Sequence, residues 1–286
     1  MIRAFAVFAL IVGLVVPVMA QPARPRVRVA QDRPVDVFWA PSIVTLPSVT
    51  TLPEGNLNIT IFHAFGRVTD GPDDLFGLDG AANIRFGLDL GVTDWLSVGV
   101  GRSRFDKLYD ARAKAAALRQ TESGSVPLSV ALTGNIALAT EADGVDAVGS
   151  LSYASALLVA RRFGDRLSVQ VSPTVGHFNT VFAQEVDGEV QTPENTLIGV
   201  GLAAQLRMTP CSALLAEYVP VVSSRSDGTT DALAVGVALD TGGHVFQLFL
   251  TASPWATEQH VLGETVDDAL AGDLRLGFNV NRVFGL

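Results

Sequence analysis

From residue 54 to the C-terminus, apolar side chains recur at every second position in short runs, the signature of strands with one apolar face. The last run is the clearest. Leu274, Leu276, Phe278, Val280, Phe284 and Leu286 share one face, broken only by Arg282, and oppose Asp273, Arg275, Gly277, Asn279 and Asn281. Ala82, Ile84, Phe86, Leu88 and Leu90 oppose Asn83, Arg85, Gly87 and Asp89, and Leu96, Val98 and Val100 oppose Ser97, Gly99 and Gly101. The same alternation marks 57–65 (with His63 on the apolar side), 128–138, 198–206, 233–239 and 246–251. It is less clean over 151–162, 167–178 and 213–222, where Pro173 and Pro220 are expected near strand ends or edges. The alanine-rich stretch Asp110–Gln120 suits a helix by propensity but is counted as a strand. That makes twelve candidate strands.

The connections between them alternate in length. One set falls near 68–80, 105–108, 141–150, 179–194, 223–230 and 253–270 and is mostly long; the other, 91–94, 121–126, 163–166, 208–212 and 241–243, is short. Long outer loops, short inner turns and an even strand number are the pattern of outer-membrane barrels. In lipid every backbone amide must be paired within the protein, so a strand-built spanning domain has to close on itself. Seventeen of the 29 acidic residues lie in the six long connections, with Lys107 and Arg225 as the basic residues there. The fold class expected is therefore all-β: a closed antiparallel transmembrane β-barrel of about twelve strands, over residues 54–286. A soluble periplasmic or secreted sandwich or barrel also alternates and stands as the alternative. Three Trp and three Tyr against 15 Phe would make thin interfacial girdles, with Trp95 and Tyr109 as candidates or as ordinary packing.

The first twenty residues follow a different rule. Arg3, the apolar run Ala4–Val16 and the small-residue exit Val18-Met19-Ala20 read as a signal peptide, 1–20, removed on export. The run is too short for a comfortable membrane anchor, and no cysteine follows to carry a lipid. Residues 21–53 lack the two-residue period. Their six prolines and the basic run Arg24–Arg28 suggest an extended periplasmic leader, read as a flexible segment or as a plug or partner-docking arm.

Composition narrows the chemistry. Of 286 residues, 48% are hydrophobic and 17% charged, with net charge −9, which disfavours disorder and a nucleic-acid partner. Beyond residue 20 no run of ~18 apolar residues appears, so a helical span is not expected. The single Cys211 excludes an internal disulfide, and His63, His177, His244 and His260 show no metal-binding spacing. No metal, cofactor or catalytic residue is assigned; Asp70, Asp73, Asp74 and Asp79 read as a solvated turn. The functional lead is the inward polar set: Arg85, Asp89, Arg112, Lys114, Gln205, Arg207, Glu217 and Arg275. On the lipid face such charges would cost roughly 2–4 kcal/mol each at the midplane. Inside, they either pair into a structural filling or line a conductive pore.

The stretch Leu52–Asp110 resembles an uncharacterised, domain-of-unknown-function family of Gram-negative β-barrel proteins. The words that carry it are HAFG (His63–Gly66), DLFGLD (Asp74–Asp79), AANIRFGLDLGVTD (Ala81–Asp94), VGVGRS (Val98–Ser103) and FDKLYD (Phe105–Asp110). The resemblance implies a barrel fold and an outer-membrane location, and no activity. The partners expected are the lipid bilayer, lipopolysaccharide and, through the C-terminal strand, the barrel-assembly machinery. Three functions stay open: a passive channel for small polar solutes, a closed structural or interaction barrel with a filled lumen, and a rim-located hydrolase.

Overall fold

The computed structural model describes residues 32–141, 144–186 and 188–285. The expected signal peptide and the leader as far as residue 31 lie outside the described residues. Twelve long strands build the wall: β1 (Asn56–Arg67), β2 (Asn83–Thr93), β3 (Leu96–Ser103), β4 (Tyr109–Leu118), β5 (Ser129–Leu138), β6 (Leu151–Phe163), β7 (Leu167–Phe178), β10 (Thr196–Thr209), β11 (Ser212–Val219), β12 (Ala232–Asp240), β13 (His244–Thr251) and β14 (Arg275–Gly285). A short hairpin, β8 (Gln184–Val186) and β9 (Glu189–Gln191), lies in the connection between β7 and β10, and one helix, α1 (Glu258–Gly263), lies between β13 and β14.

The strands run antiparallel to their chain neighbours, and β14 pairs with β1 to close the barrel. Closure sets Leu57 opposite Phe284 and Ile61 opposite Val280, so the expected terminal strand leaves no open edge. β4 is a strand despite its alanines: pairing with β3 on one side and β5 on the other outweighs helix propensity. Pro220 follows β11 directly, as expected, whereas Pro173 lies inside β7. It pairs with Val200 of β10, and towards β6 the ladder lapses between Ala156↔Thr174 and Val159↔Val171. A residue without an N–H is tolerated there by omitting that stretch of ladder.

The alternation resolves into two faces. Phe86, Leu88, Val100, Leu132, Ile198, Leu214, Val237 and Leu248 are exposed on the outside, while Asn58, Asn83, Arg85, Asp89, Gln170, Glu217 and Asn281 are buried inside. No helix among the described residues is long and apolar enough to cross a membrane. An apolar exterior around a polar interior is the inverse of a soluble barrel, and it is what a lipid solvent selects.

Both ends of the lumen are closed. Residues 33–53 dip into the barrel from the end with the short turns, and bury Val37, Phe38, Ile43, Val44, Leu46 and Leu52. Of the two readings of the leader, the inserted segment is the one residues 33–53 adopt. The reason lies in the wall: Ala131, Ala156, Ala160, Ala203, Ala213, Ala234 and Ala238 face inward and are buried, leaving space that these larger side chains fill. Each such side chain removed from water is worth about 1.5–3 kcal/mol. From the long-loop end, the β13–β14 connection folds inward and buries Trp255, Val261 and Leu262 in the same cluster.

Candidate functional site: an occluded lumen

The inserted segment is a loop that enters and leaves by one end. Near its start, Val35 N–H donates to Gln120 O at 2.7 Å, and near its end Gly55 N–H donates to Gly91 O at 2.9 Å. Between them Ala40–Ser48 folds as a tight hairpin bounded by Pro41 and Pro47. Ser48 N–H donates to Pro41 O and Ile43 N–H to Leu46 O, each at 2.9 Å. The two prolines end the pairing because neither can donate.

The hairpin tip exposes three backbone N–H groups, and all three converge on Glu217. Its carboxylate accepts from Val44 N (2.6 Å), Thr45 N (3.0 Å) and Leu46 N (3.2 Å), and from the Thr45 hydroxyl at 2.9 Å. Lys114 does the reverse: its ammonium donates to Pro41 O (3.0 Å), Ser48 O (2.7 Å) and Thr50 O (2.7 Å), which uses all three of its protons. One carboxylate thus gathers the loop's donors, and one ammonium gathers its acceptors. Burial makes both arrangements costly to leave half made.

Gln205 accepts from Trp39 N at 3.4 Å. At the short-turn end Arg207 donates to Asp36 O at 3.0 Å and stacks over the Trp39 ring, 5.5 Å from its centroid. Arg85 makes a bidentate pair with Asp110 (2.7 and 2.6 Å), and Arg112 makes another with Asp89 (2.7 and 2.7 Å). Arg275 pairs with Asp267 of the long β13–β14 connection and donates to Phe65 O at 3.2 Å. All eight predicted lumen residues therefore engage the chain itself: Arg85, Asp89 and Arg112 the barrel wall, Arg275 the β13–β14 connection, Lys114 and Glu217 the hairpin, and Gln205 and Arg207 the segment's start. Their interactions fill the interior rather than line an open bore.

Several partners carried no charge to flag them. Gln170 accepts from Val49 N at 2.8 Å and donates to Pro47 O at 2.8 Å; Asn279 donates to Val44 O at 2.9 Å; Ser168 donates to Val37 O at 2.5 Å. Their signal was the period of two, which puts Ser168, Gln170 and Ser172 on one face of β7 and Asn279 on the polar face of β14.

Glycines make room for the ion pairs. A Cβ on Gly101 would overlap the Arg85 guanidinium, and one on Gly99 would overlap the Asp89 carboxylate. The Gly-x-Gly of β3 is therefore clearance for two salt bridges. Between the hairpin tip and α1 lies a cavity of about 20 Å³, lined by Thr45, Pro47, Arg85, Arg112, Ala256 and Glu258. It has room for about one water.

The α1 connection is held by neutral packing. His260 takes the Thr257 hydroxyl at 2.8 Å and lies against the Trp255 and Phe178 rings, with centroids 4.9 and 5.4 Å away. Burial holds its imidazole down at about 3. Gln259 donates to Asn135 at 2.9 Å and to Ser152 at 3.2 Å. Burial, with Asp106 nearby, pushes the Glu264 carboxyl up to about 8, and burial raises that of Glu258. His177 takes the Thr196 hydroxyl at 2.8 Å, while His63 and His244 stack on Phe278 and Phe246.

Solved structures share the architecture. The NanC porin matches with TM-score 0.51 at 7% identity, covering 80% of this chain and 99% of that one. CdiB from Acinetobacter baumannii matches at TM-score 0.37 and 10% identity, covering 82% of this chain and 60% of that one. LpxR from Salmonella typhimurium matches at TM-score 0.37 and 11% identity, covering 81% and 100%. No curated protein matches the chain. The family match runs over residues 38–284, so it takes in the lumen hairpin together with nearly all of the wall. With a closed twelve-strand wall, an apolar exterior and that match in hand, the chain belongs to the family described as a membrane bound beta barrel domain (DUF5777).

Proposed function

We propose that this protein is an outer-membrane barrel kept closed by its own N-terminal segment, acting as a structural or interaction barrel and carrying out no chemical step. The observation behind this reading is the double clamp on the hairpin, Glu217 on its N–H groups and Lys114 on its carbonyls. Such a clamp recognises backbone, so it is indifferent to solutes. The long loops and their acidic residues would then face outward, and the short turns the periplasm. Lipopolysaccharide would surround the outer half, and β14 would be the strand offered to the barrel-assembly machinery.

A second reading has one feature in its favour. The hairpin enters and leaves by one end, so it can be withdrawn as a unit; with α1 displaced as well, the bore would expose Arg112, Lys114, Gln170, Gln205 and Glu217, polar groups that a passive channel for small polar solutes requires, and the NanC porin is a barrel of similar size. Planar-bilayer recording separates the two. The closed reading expects no conductance steps from the full chain and steps once residues 33–53 are removed together with the inward-folded part of the β13–β14 connection that closes the other end. Steps from the full chain, at an amplitude unchanged by the deletion, would overturn it.

A further inference from the structure

The outer wall carries a groove of about 690 Å³ that the lumen does not explain. It crosses β2 to β5, where register sets Leu88, Val100, Ala111 and Ile136 side by side. Ala111 is the short member of that row, so the wall dips between Val100 and Ile136. One row nearer the long loops, Arg102 sits beside Tyr109 and its guanidinium lies over the ring, 5.7 Å from the centroid. Arg102 points outward with the apolar side chains, is exposed, and forms no ion pair with any carboxylate among the described residues.

An arginine on a lipid-facing wall is tolerated near the interface and is costly deeper in. It calls for an anion there, and the wall supplies none. Beneath it runs an apolar groove whose volume lies in the ~300–1,000 Å³ range of sites that hold one small ligand. We propose that this groove is a specific site for a phosphate-bearing lipid, with an acyl chain laid over Ala111 and the phosphate on Arg102. Guanidinium and phosphate match in planar, two-donor geometry, and the Tyr109 ring holds the guanidinium in place for it. The inference depends on the membrane-barrel fold and is independent of whether the lumen is closed.

The test uses the full chain purified in a neutral maltoside and titrated with phosphatidylglycerol, read by native mass spectrometry. Diacylglycerol with the same chains is the phosphate-free probe. A one-to-one phosphatidylglycerol adduct is expected to survive activation, with diacylglycerol held about tenfold less, the worth of a charge-assisted contact. Arg102→Gln, which removes the charge, and Ala111→Leu, which fills the dip but keeps Arg102, should each lower adduct retention by about tenfold. Val237→Leu on another part of the wall should leave it unchanged. A heat-dependent gel shift shows that each variant is folded. Equal retention in all variants, equal retention of both lipids, or a dimer abolished by Ala111→Leu in place of any adduct would overturn the site.

Discussion

The two sides of the lumen are filled by opposite means. Along β2 to β4 the wall fills its own interior: Arg85 and Arg112 reach across to Asp110 and Asp89, and glycines on β3 clear the way. Along β5 to β12 the inward face is mostly small, with buried alanines on every wall strand but β7, and the space is taken by Phe38, Ile43 and Leu46 of the inserted hairpin and Leu262 of the β13–β14 connection. Leu46 packs over Gly201 and Leu262 over Gly199, so even the glycines on this side make room for a visitor. A wall of long charged residues specifies its contents. A wall of small residues specifies mainly a volume, pinned at a few points by Ser168, Gln170, Gln205 and Glu217, and another part of the chain must be built to fit it.

If that contrast holds, damage on the two sides should differ in kind. Removing residues 33–53 is the largest insult: it should lower the temperature of the gel-mobility transition and, combined with removal of α1 from the other end, turn a silent barrel into a conducting one, while the Arg–Asp pairs keep β2–β4 intact. Arg85→Ala should cost about 3–5 kcal/mol, because Asp110 is left as an uncompensated buried charge. The double variant Arg85→Ala/Asp110→Ala should recover much of that loss, and neither should open a conductance. Glu217→Ala should cost less, about 1–3 kcal/mol in all, because water entering the space the side chain vacates reaches most of the hairpin N–H groups. Its signature should be release of the hairpin, read as protease cleavage between residues 33 and 53 and a red-shifted Trp39 emission.

The smallest effect concerns pH and sharpens the contrast between the charged hairpin clamp and the neutral α1 connection. His260 falls from 6.5 unfolded to about 3 folded, so its contribution is lost as pH drops from 6.5 to 3. Glu264 rises from 4.5 to about 8, so its contribution is present below 4.5 and lost as pH climbs towards 8. Between 4.5 and 6.5 the two slopes oppose one another and nearly cancel. Docking of the connection, followed by hydrogen exchange over residues 253–270, should be flat across that window and weaken on either side. Glu264→Gln should remove the loss between 6.5 and 8, and His260→Gln the loss on the acid side. A profile unchanged in Glu264→Gln would refute the assignment.

The strand wall was legible because its signal is local. Alternation in 83–90, 128–138 and 274–286 states which side chains share a face, and a one-residue slip would turn all of them over. The lumen residues followed from the same logic, since Arg85, Asp89, Lys114 and Glu217 sit on faces opposite the lipid-directed Leu and Val. What they touch was less accessible. Arg85 pairs with Asp110 and Arg112 with Asp89 across three adjacent strands, and such diagonals depend on register rather than on spacing within one strand. Residues 33–53 were harder still: a proline-rich run without a period looks alike whether it is free or gripped, because Glu217 and Lys114 read its backbone and not its side chains. Pro173 misled in a simple way, for a barrel strand can omit part of its ladder on one side while staying paired on the other.

By itself the sequence determined a twelve-strand wall, its inward and outward faces and the alternation of long and short connections, since each follows from neighbours within about ten residues and from the demand that lipid leaves no amide unpaired. The tertiary structure alone decided what occupies the interior. That outcome rests on contacts such as Thr45 with Glu217, 172 positions apart, and on whether a row of inward alanines leaves a volume that a distant loop can fill. Closure of the barrel creates that volume, and no segment carries it in advance.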